Sequence, residues 1–105
     1  MIQKQEELLH KLRLLKKELA KEGFIIEGLF GSYARGDFSK DSDIDLLYRL
    51  DPTFLNKYRG FIGFKRLDEI KNYLATQLQT TVDLAPLNNL SVTGKKYILD
   101  EAIDV

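Results

Sequence analysis

The feature that most constrains the fold is a polar stretch between two apolar segments. Residues 31–47, GSYARGDFSKDSDIDLL, begin with a Gly-Ser pair and end in Asp-Ile-Asp at positions 43–45 followed by two leucines. The preceding residues 24–30, FIIEGLF, are mostly apolar and are bounded by glycines, which is typical of a buried strand. This order predicts a strand, a tight turn, a short helix or loop, and a second strand that carries two carboxylates.

The turn has the composition of a phosphate-binding site. Gly31 lets the backbone approach a ligand closely because it has no Cβ. Ser32 is expected to cap the helix that follows, and the N–H groups at the start of a helix favour an anion such as a phosphate. Arg35, in the first turn of that helix, either reaches a phosphate or holds the loop by pairing with Asp37 or Asp41. The sequence therefore predicts phosphate binding by Gly31 and Ser32.

The second strand carries candidate metal ligands. Asp43 and Asp45 are two residues apart, so on a strand they project to the same face while Ile44 points into the core. Two carboxylates on one face can bind a hard cation or a close pair of cations. Asp83 lies in a third apolar segment, residues 80–85, and a carboxylate buried there would need a salt bridge or a shared metal. Together with the turn, this pattern predicts a nucleotide–metal site.

These residues resemble the signature of the nucleotidyltransferase superfamily related to DNA polymerase β. Gly31-Ser32, ten intervening residues and Asp43-x-Asp45 carry the resemblance, and the form GSYARG…SDIDLL is most similar to the small, single-domain branch, the minimal nucleotidyltransferases. The resemblance implies an enzyme with a palm-like core that transfers AMP from ATP. It also implies two Mg²⁺ ions held by Asp43, Asp45 and an acidic residue on the following strand, a place that Asp83 takes. Asp83 is then the candidate general base.

Members of this branch commonly act as antitoxins of HEPN-domain ribonuclease toxins, so the resemblance implies a protein acceptor. Larger members carry a second domain that binds the acceptor, whereas 105 residues predict one domain, residues 1–105, without it. We therefore expect the acceptor to be a tyrosine of a HEPN-domain toxin. Two alternatives stay open. The nucleotide could go to a small alcohol or antibiotic held at a dimer interface, or the chain could be a non-catalytic antitoxin that neutralises its partner by contact.

Composition limits the partners and the compartment. Sixteen basic and sixteen acidic residues cancel, which disfavours general nucleic-acid binding. The absence of cysteine excludes disulfides and thiolate metal sites and suits a cytoplasmic protein. The charged residues 1–18 contain no apolar run long enough for a signal or membrane segment, so no membrane partner is expected. A homo-oligomer is compatible with the sequence.

The rest of the chain predicts a small α/β (α+β) fold. Leucines at helical spacing predict a helix over residues 3–21, and a second amphipathic helix is expected over residues 65–78. Residues 53–64 between them predict a loop whose aromatic side chains pack in the core or stack on a nucleotide base. A helix from about residue 92 to 101 and an edge strand at 102–105 are expected to follow. A small mixed sheet with helices packed on one face accommodates this order.

Overall fold

The computed structural model describes residues 5–87 and 102–105, which form four helices and four strands. These elements are α1 Gln5–Ala20, β1 Phe24–Phe30, α2 Ser32–Arg35, β2 Ile44–Leu50, α3 Pro52–Lys57, α4 Phe61–Leu78, β3 Val82–Pro86 and β4 Ile103–Asp104. The predicted edge strand at the carboxyl terminus is confirmed by β4, and the helix expected over residues 92–101 lies outside the described residues. None of the described helices is both long and apolar enough to cross a membrane.

The strands form one mixed sheet in the order β3-β2-β1-β4. β1 is antiparallel to β2 and to β4, and β2 is parallel to β3. The carboxyl end of β1 and the amino ends of β2 and β3 therefore meet at one end of the sheet. We call this the carboxylate end, because Gly31, Asp45 and Asp83 lie there. The predicted mixed α/β architecture is confirmed.

One face of the sheet packs against α1 and α4. The leucine stripe of α1 and the apolar stripe of α4 form a single core with alternate residues of strand β2. The core side chains of these three elements are Leu8, Leu12, Leu15 and Leu19 from α1, Ile70, Leu74 and Leu78 from α4, and Ile44, Leu46 and Tyr48 from β2. Because strand side chains alternate, the residues between them on β2 face the other way. Asp45 is one of these residues.

The loop predicted over residues 53–64 was wrong, because this stretch forms α3 and the first turn of α4. Asp51 starts α3 by accepting hydrogen bonds from the N–H groups of Thr53 at 2.9 Å and Phe54 at 3.4 Å, and Pro52 occupies the first helical position. The expectation for the aromatic side chains holds in part. Phe54 is buried in the core, whereas Phe61 and Phe64 are 90% and 74% exposed.

The opposite end of the sheet is closed by Gly23 and Asp51, and we call it the capped end. Gly23 precedes β1 with a φ of 91°, and a Cβ at that position would lie 2.3 Å from Asp51 Oδ1 and 2.4 Å from the backbone nitrogen of Phe54. The N–H of Asp51 donates to the carbonyl of Gly23 at 3.0 Å. Beside this turn, Arg66 of α4 donates twice to the Glu22 carboxylate, at 2.7 and 2.8 Å. Helices α3 and α4 are thereby joined to the start of β1.

Candidate active site

The sheet register brings two of the three predicted carboxylates together. Asp45 of β2 is the paired partner of Asp83 on the neighbouring parallel strand β3, and Ile44 is the partner of Val82. Ile44 and Val82 are both fully buried in the core, so Asp45 and Asp83 project from the opposite face. Asp45 is half-buried and Asp83 is exposed. Residues far apart in the sequence thus form one carboxylate pair.

The expectation that the Asp83 carboxylate is buried was wrong, although Asp83 lies on the expected strand. Asp83 was interpreted as a carboxylate buried between apolar neighbours, but alternation along β3 turns Val82 and Leu84 toward the core and leaves Asp83 exposed. Because Asp83 is exposed, its carboxylate incurs no desolvation penalty. Like charges directly opposite each other on neighbouring strands destabilise a sheet, and a cation bound between Asp45 and Asp83 would relieve that repulsion.

Asp43 lies at the same end of the sheet, one residue before β2, and is exposed. The loop that leads to it is held by hydroxyl groups: Ser42 Oγ accepts from the N–H of Ser39 at 2.9 Å, and Ser39 Oγ accepts from the N–H of Asp41 at 3.3 Å. Asp41 lies in this turn, in agreement with its interpretation as a turn-forming residue. Asp43 therefore enters the carboxylate end from an exposed loop rather than from the strand.

Gly31 lies directly against Asp45, one member of the carboxylate pair. It has a φ of 76°, and a Cβ built there would lie 2.2 Å from Asp45 Oδ2, closer than any real contact allows. Phe30, the preceding residue, is paired with Asp45 across the antiparallel strands β1 and β2. Any side chain at position 31 would displace the Asp45 carboxylate. The predicted phosphate-binding turn and the predicted metal ligand thus occupy adjacent positions.

The expectation that Ser32 caps α2 was wrong, because Ser32 is the first residue of the helix and Gly31 is the capping residue. The Gly31 carbonyl accepts hydrogen bonds from the N–H groups of Ala34 and Arg35, at 3.0 and 3.1 Å. The Ser32 carbonyl accepts from Gly36 and thereby closes the turn. Because the positive φ of Gly31 carries out the change of direction, Ser32 lies within the helix. Its hydroxyl and the N–H groups at the start of α2 have no i−4 acceptor within the helix.

Two contacts that local sequence patterns do not predict hold α2 in place. Gln5, at the start of α1, donates from Nε2 to the carbonyls of Tyr33 at 2.7 Å and Ala34 at 3.0 Å. The buried ring of Tyr33 stacks on Phe38, with ring centroids 4.2 Å apart. The carbonyls of Tyr33 and Ala34 that accept from Gln5 belong to the last turn of α2, where acceptors have no partner within the helix. Gln5 therefore fixes the turn that contains Gly31, and no periodicity in the sequence could indicate it.

Arg35 supports the loop. Its Nε donates to Asp37 Oδ2 at 3.2 Å, and both side chains are about half exposed or more. Of the two alternatives for Arg35, pairing with Asp37 is confirmed, and contact with a phosphate stays a prediction. An exposed pair of this kind contributes little to stability.

The donor set suits a hard divalent cation. Carboxylate oxygens are the ligands that Mg²⁺ prefers, and proteins usually bind it through one or two carboxylates while substrate phosphates supply further oxygens. Asp45 and Asp83 provide such a pair. Within residues 5–87 and 102–105, no three acidic, histidine or cysteine side chains are grouped to hold an ion by themselves. The three-ligand set of Asp43, Asp45 and Asp83 therefore stays a prediction.

Sequence comparison agrees with this geometry. The model of the nucleotidyltransferase domain family matches residues 12–105. The protein adenylyltransferase MntA of Thermococcus cleftensis is 35% identical over 103 residues, which cover 95% of this chain and 94% of that protein. A protein of Methanocaldococcus jannaschii that is provisionally named a protein adenylyltransferase is 37% identical over 92 residues, 86% of this chain and 85% of its own length.

Solved structures share the fold. A structure provisionally described as a minimal nucleotidyltransferase has a TM-score of 0.74 and 28% identity, and the match covers 98% of this chain and 97% of that one. The crystal structure of a toxin-antitoxin with AMP-PNP has a TM-score of 0.64 and 23% identity, covering 90% of this chain and 70% of that chain. At this lower identity the second likeness supports the fold alone.

Proposed function

Because the chain belongs to the nucleotidyltransferase domain family and is an enzyme of that class, we propose that it transfers AMP from ATP to a tyrosine hydroxyl of a HEPN-domain ribonuclease toxin and acts as its antitoxin. The pairing of Asp45 with Asp83 beside the Gly31 turn carries this proposal. Relatives named protein adenylyltransferases support a protein acceptor. A relative that is a protein adenylyltransferase also supports an adenine nucleotide. The toxin partner rests on the resemblance of residues 31–47 to the minimal nucleotidyltransferases that act as antitoxins.

Each residue of the carboxylate end has a task in this reaction. Gly31 and Ser32 bind the β- and γ-phosphates through backbone N–H groups and the Ser32 hydroxyl. Mg²⁺, held by Asp43, Asp45 and Asp83, would neutralise the triphosphate and lower the pKa of the acceptor hydroxyl. Asp83 accepts the proton of that hydroxyl. The acceptor oxygen attacks the α-phosphorus in line, the bond from that phosphorus to the β-phosphate oxygen breaks, and pyrophosphate leaves.

Exposure at this end suits a macromolecular acceptor. Asp83 and Asp43 are exposed, and Asp45 is half-buried against Gly31. A tyrosine on the surface of a partner protein can therefore reach Asp83 without entering a closed pocket. General-base catalysis requires this access, because the base must come within hydrogen-bond distance of the hydroxyl proton.

The test is AMP labelling of a purified HEPN-domain partner. The full chain is incubated with ATP, Mg²⁺ and the partner, and intact mass followed by peptide mapping is expected to show AMP on a tyrosine. Removal of divalent cations with EDTA should abolish labelling, as should Asp45→Asn. Asp104→Asn is the matched control, because Asp104 is an exposed carboxylate on β4 of the same sheet, with β1 between it and the strand that carries Asp45.

Two outcomes would overturn the proposal. Labelling of small alcohols such as aminoglycosides, with none on protein, would assign a small-molecule acceptor. Full protection of cells against the toxin by a variant that cannot label would mean that the chain neutralises its partner by contact.

A further inference from the structure

Exposed apolar side chains are concentrated on α3 and at the start of α4. Of the five large apolar residues that are exposed in the described part of the chain, four lie here: Leu55, Phe61, Ile62 and Phe64. The fifth, Leu14, lies alone on α1. Single exposed apolar residues are normal on protein surfaces, whereas a contiguous group usually marks an interaction site.

Two of these residues, Leu55 and Phe64, line a concave surface. Two cavities of about 470 and 260 Å³ share Leu50, Leu55, Phe64 and Leu67 as lining residues and are therefore adjacent. We call this surface the α3–α4 groove. Gly63 also lines it, and a Cβ there would lie 3.0 Å from the carbonyl oxygen of Tyr58, so the missing side chain lets α4 begin close to the preceding turn.

The segment that forms the groove carries an excess of basic residues up to position 67, and Asp68 and Glu69 follow it on α4. Residues 52–67 contain four cationic side chains and no Asp or Glu, although the whole chain has a formal net charge of zero. Arg66 is paired with Glu22 and Glu69. The other three cations are exposed and form no ion pair with a described residue. They are Lys57, Arg59 and Lys65.

We propose that the α3–α4 groove docks an amphipathic segment of a partner protein whose apolar side chains are flanked by Asp or Glu. The apolar floor would bury the partner's apolar residues, and the three cations would face its carboxylates. Such charge complementarity selects the partner and speeds association. A helix laid into a groove between two helices is a common form of this recognition.

The position of the groove favours a protein over a small acceptor. On β2 the larger cavity is lined by Leu50, five residues from Asp45 or about 17 Å on strand geometry, and the smaller cavity reaches Tyr48, three residues or about 10 Å from Asp45. An alcohol bound in the larger cavity would be too far from Asp45 for nucleotidyl transfer. A protein docked there leaves the carboxylate end open and can present another part of its surface to it. The proposal itself does not depend on the transfer chemistry.

A second copy of this chain and a membrane fit the groove less well. Two grooves placed face to face would bring their basic residues together, and Leu14 is itself flanked on α1 by Lys11, Arg13 and Lys17. Like charges across an interface oppose association. Anionic membranes are usually recognised by clusters of four to eight basic residues, more than the three cations here, and a concave surface inserts poorly into a bilayer.

The experiment compares two synthetic amphipathic peptides with the same leucine pattern, one flanked by Glu and one by Lys. Binding to the full chain is measured by fluorescence anisotropy and located by NMR chemical-shift changes. The Glu peptide is expected to bind with shifts at Leu55, Tyr58 and Phe64, and added salt should weaken it. The Lys peptide should bind at least about tenfold more weakly, a difference of about 1.4 kcal/mol.

Paired variants make the test specific. Phe64→Ser and Lys65→Glu should each weaken binding of the Glu peptide about tenfold or more. Leu14→Ser and Lys17→Glu, the matched changes on α1, should leave it unchanged. Because all four side chains are exposed, the variants should remain folded. Asp43→Ala/Asp45→Ala should bind the Glu peptide like the parent, so failure of nucleotidyl transfer would leave this proposal standing.

Four results would overturn the proposal. Equal binding of the Glu and Lys peptides would remove the charge argument, and shifts confined to other surfaces would remove the site. Binding to phosphatidylserine vesicles but not to the Glu peptide, lost in Phe64→Ser, would assign the groove to a membrane. Self-association in analytical ultracentrifugation that Phe64→Ser abolishes would assign it to a second copy.

Discussion

The two ends of β1 use the same structural device for different purposes. At each end a glycine with positive φ leaves room for an aspartate: a Cβ on Gly23 would lie 2.3 Å from Asp51 Oδ1, and a Cβ on Gly31 would lie 2.2 Å from Asp45 Oδ2. At the capped end, the Asp51 carboxylate accepts hydrogen bonds from backbone N–H groups at the start of α3. At the carboxylate end, Asp45 is paired in register with Asp83, another acid.

The two ends differ in that the Asp51 carboxylate stabilises the fold, whereas the Asp45–Asp83 pair serves the proposed reaction. A carboxylate that caps a helix stabilises the fold, because it satisfies N–H groups that have no partner within the helix. Two carboxylates directly opposite each other on neighbouring strands repel and destabilise the sheet. The proposed transfer of AMP from a metal–triphosphate gives the second arrangement a use. Substitutions at the two ends should therefore affect different measurements.

The largest expected effect is loss of transfer in Asp83→Asn. The amide keeps the shape of the side chain but removes the charge and the base, so the AMP-transfer rate should fall by roughly 10²–10⁴-fold. In EDTA the melting temperature should stay equal or rise, because the repulsion with Asp45 is gone. Rate assays and thermal unfolding of the same preparation measure both quantities. A clear fall in melting temperature with little change in rate would assign Asp83 to the fold and reverse the comparison.

The glycine pair is the next most sensitive contrast. Gly23→Ala places a methyl group against the backbone nitrogen of Phe54, which can move only with α3, so the free energy of unfolding should fall by at least about 1–3 kcal/mol. In Gly31→Ala the contacted atoms belong to the Asp45 side chain, which can rotate away. That variant should be the more stable of the two but should lose most of its transfer activity. Chemical denaturation and labelling assays on both variants provide the check, and equal loss of activity at matched stability would contradict it.

Asp51→Ala should have a moderate effect on stability alone. Loss of a helix cap lowers the free energy of unfolding by about 0.5–2 kcal/mol. The transfer rate, measured well below the melting temperature, should match the parent, because Asp51 lies at the capped end. Asp68→Asn, an exposed acidic residue within α4, is the control for a general charge effect. A loss of rate in Asp51→Ala beyond its loss of folded protein would show that the two ends are coupled.

Local patterns predicted the elements and the signature, because these depend on neighbours in the sequence. The leucine stripe of α1 and the apolar segment before Gly31 have helical and strand periodicity, and both elements formed at the expected places. The helix α3 was missed although Asp51-Pro52 is a helix-start signal. The stretch after it, residues 53–64, was interpreted as a loop because it contains Gly60 and Gly63.

Contacts between residues that are far apart in the sequence could not be predicted from local sequence patterns. Gln5 bonds to α2 across 28 residues, and the exposure of Asp83 depends on which face of β3 packs on α4. The contact of Gly31 with Asp45 likewise requires the antiparallel register of β1 and β2. The order of the predicted elements indicated a small mixed fold, but only the register shows that Asp45 is paired with Asp83.

The smallest expected effect is a pH dependence at the capped end. The pKa of Glu22 is lowered, chiefly by the hydrogen bonds that Arg66 donates to its carboxylate. A carboxyl group whose pKa is lower in the folded state contributes stability that is present above its unfolded pKa and is lost as the pH falls through the folded pKa. Glu22→Gln should therefore lower the free energy of unfolding near pH 7 by up to about 1 kcal/mol, the range of a partly exposed pair. The difference from the parent should shrink as the solution is acidified below the ordinary carboxyl pKa.

Urea unfolding at several pH values measures this difference, with Glu7→Gln on the exposed face of α1 as control. A constant difference at all pH values would mean that Glu22 stabilises the turn before Gly23 through packing rather than charge. A change in the ATP-dependent transfer rate would mean that the capped end influences the carboxylate end.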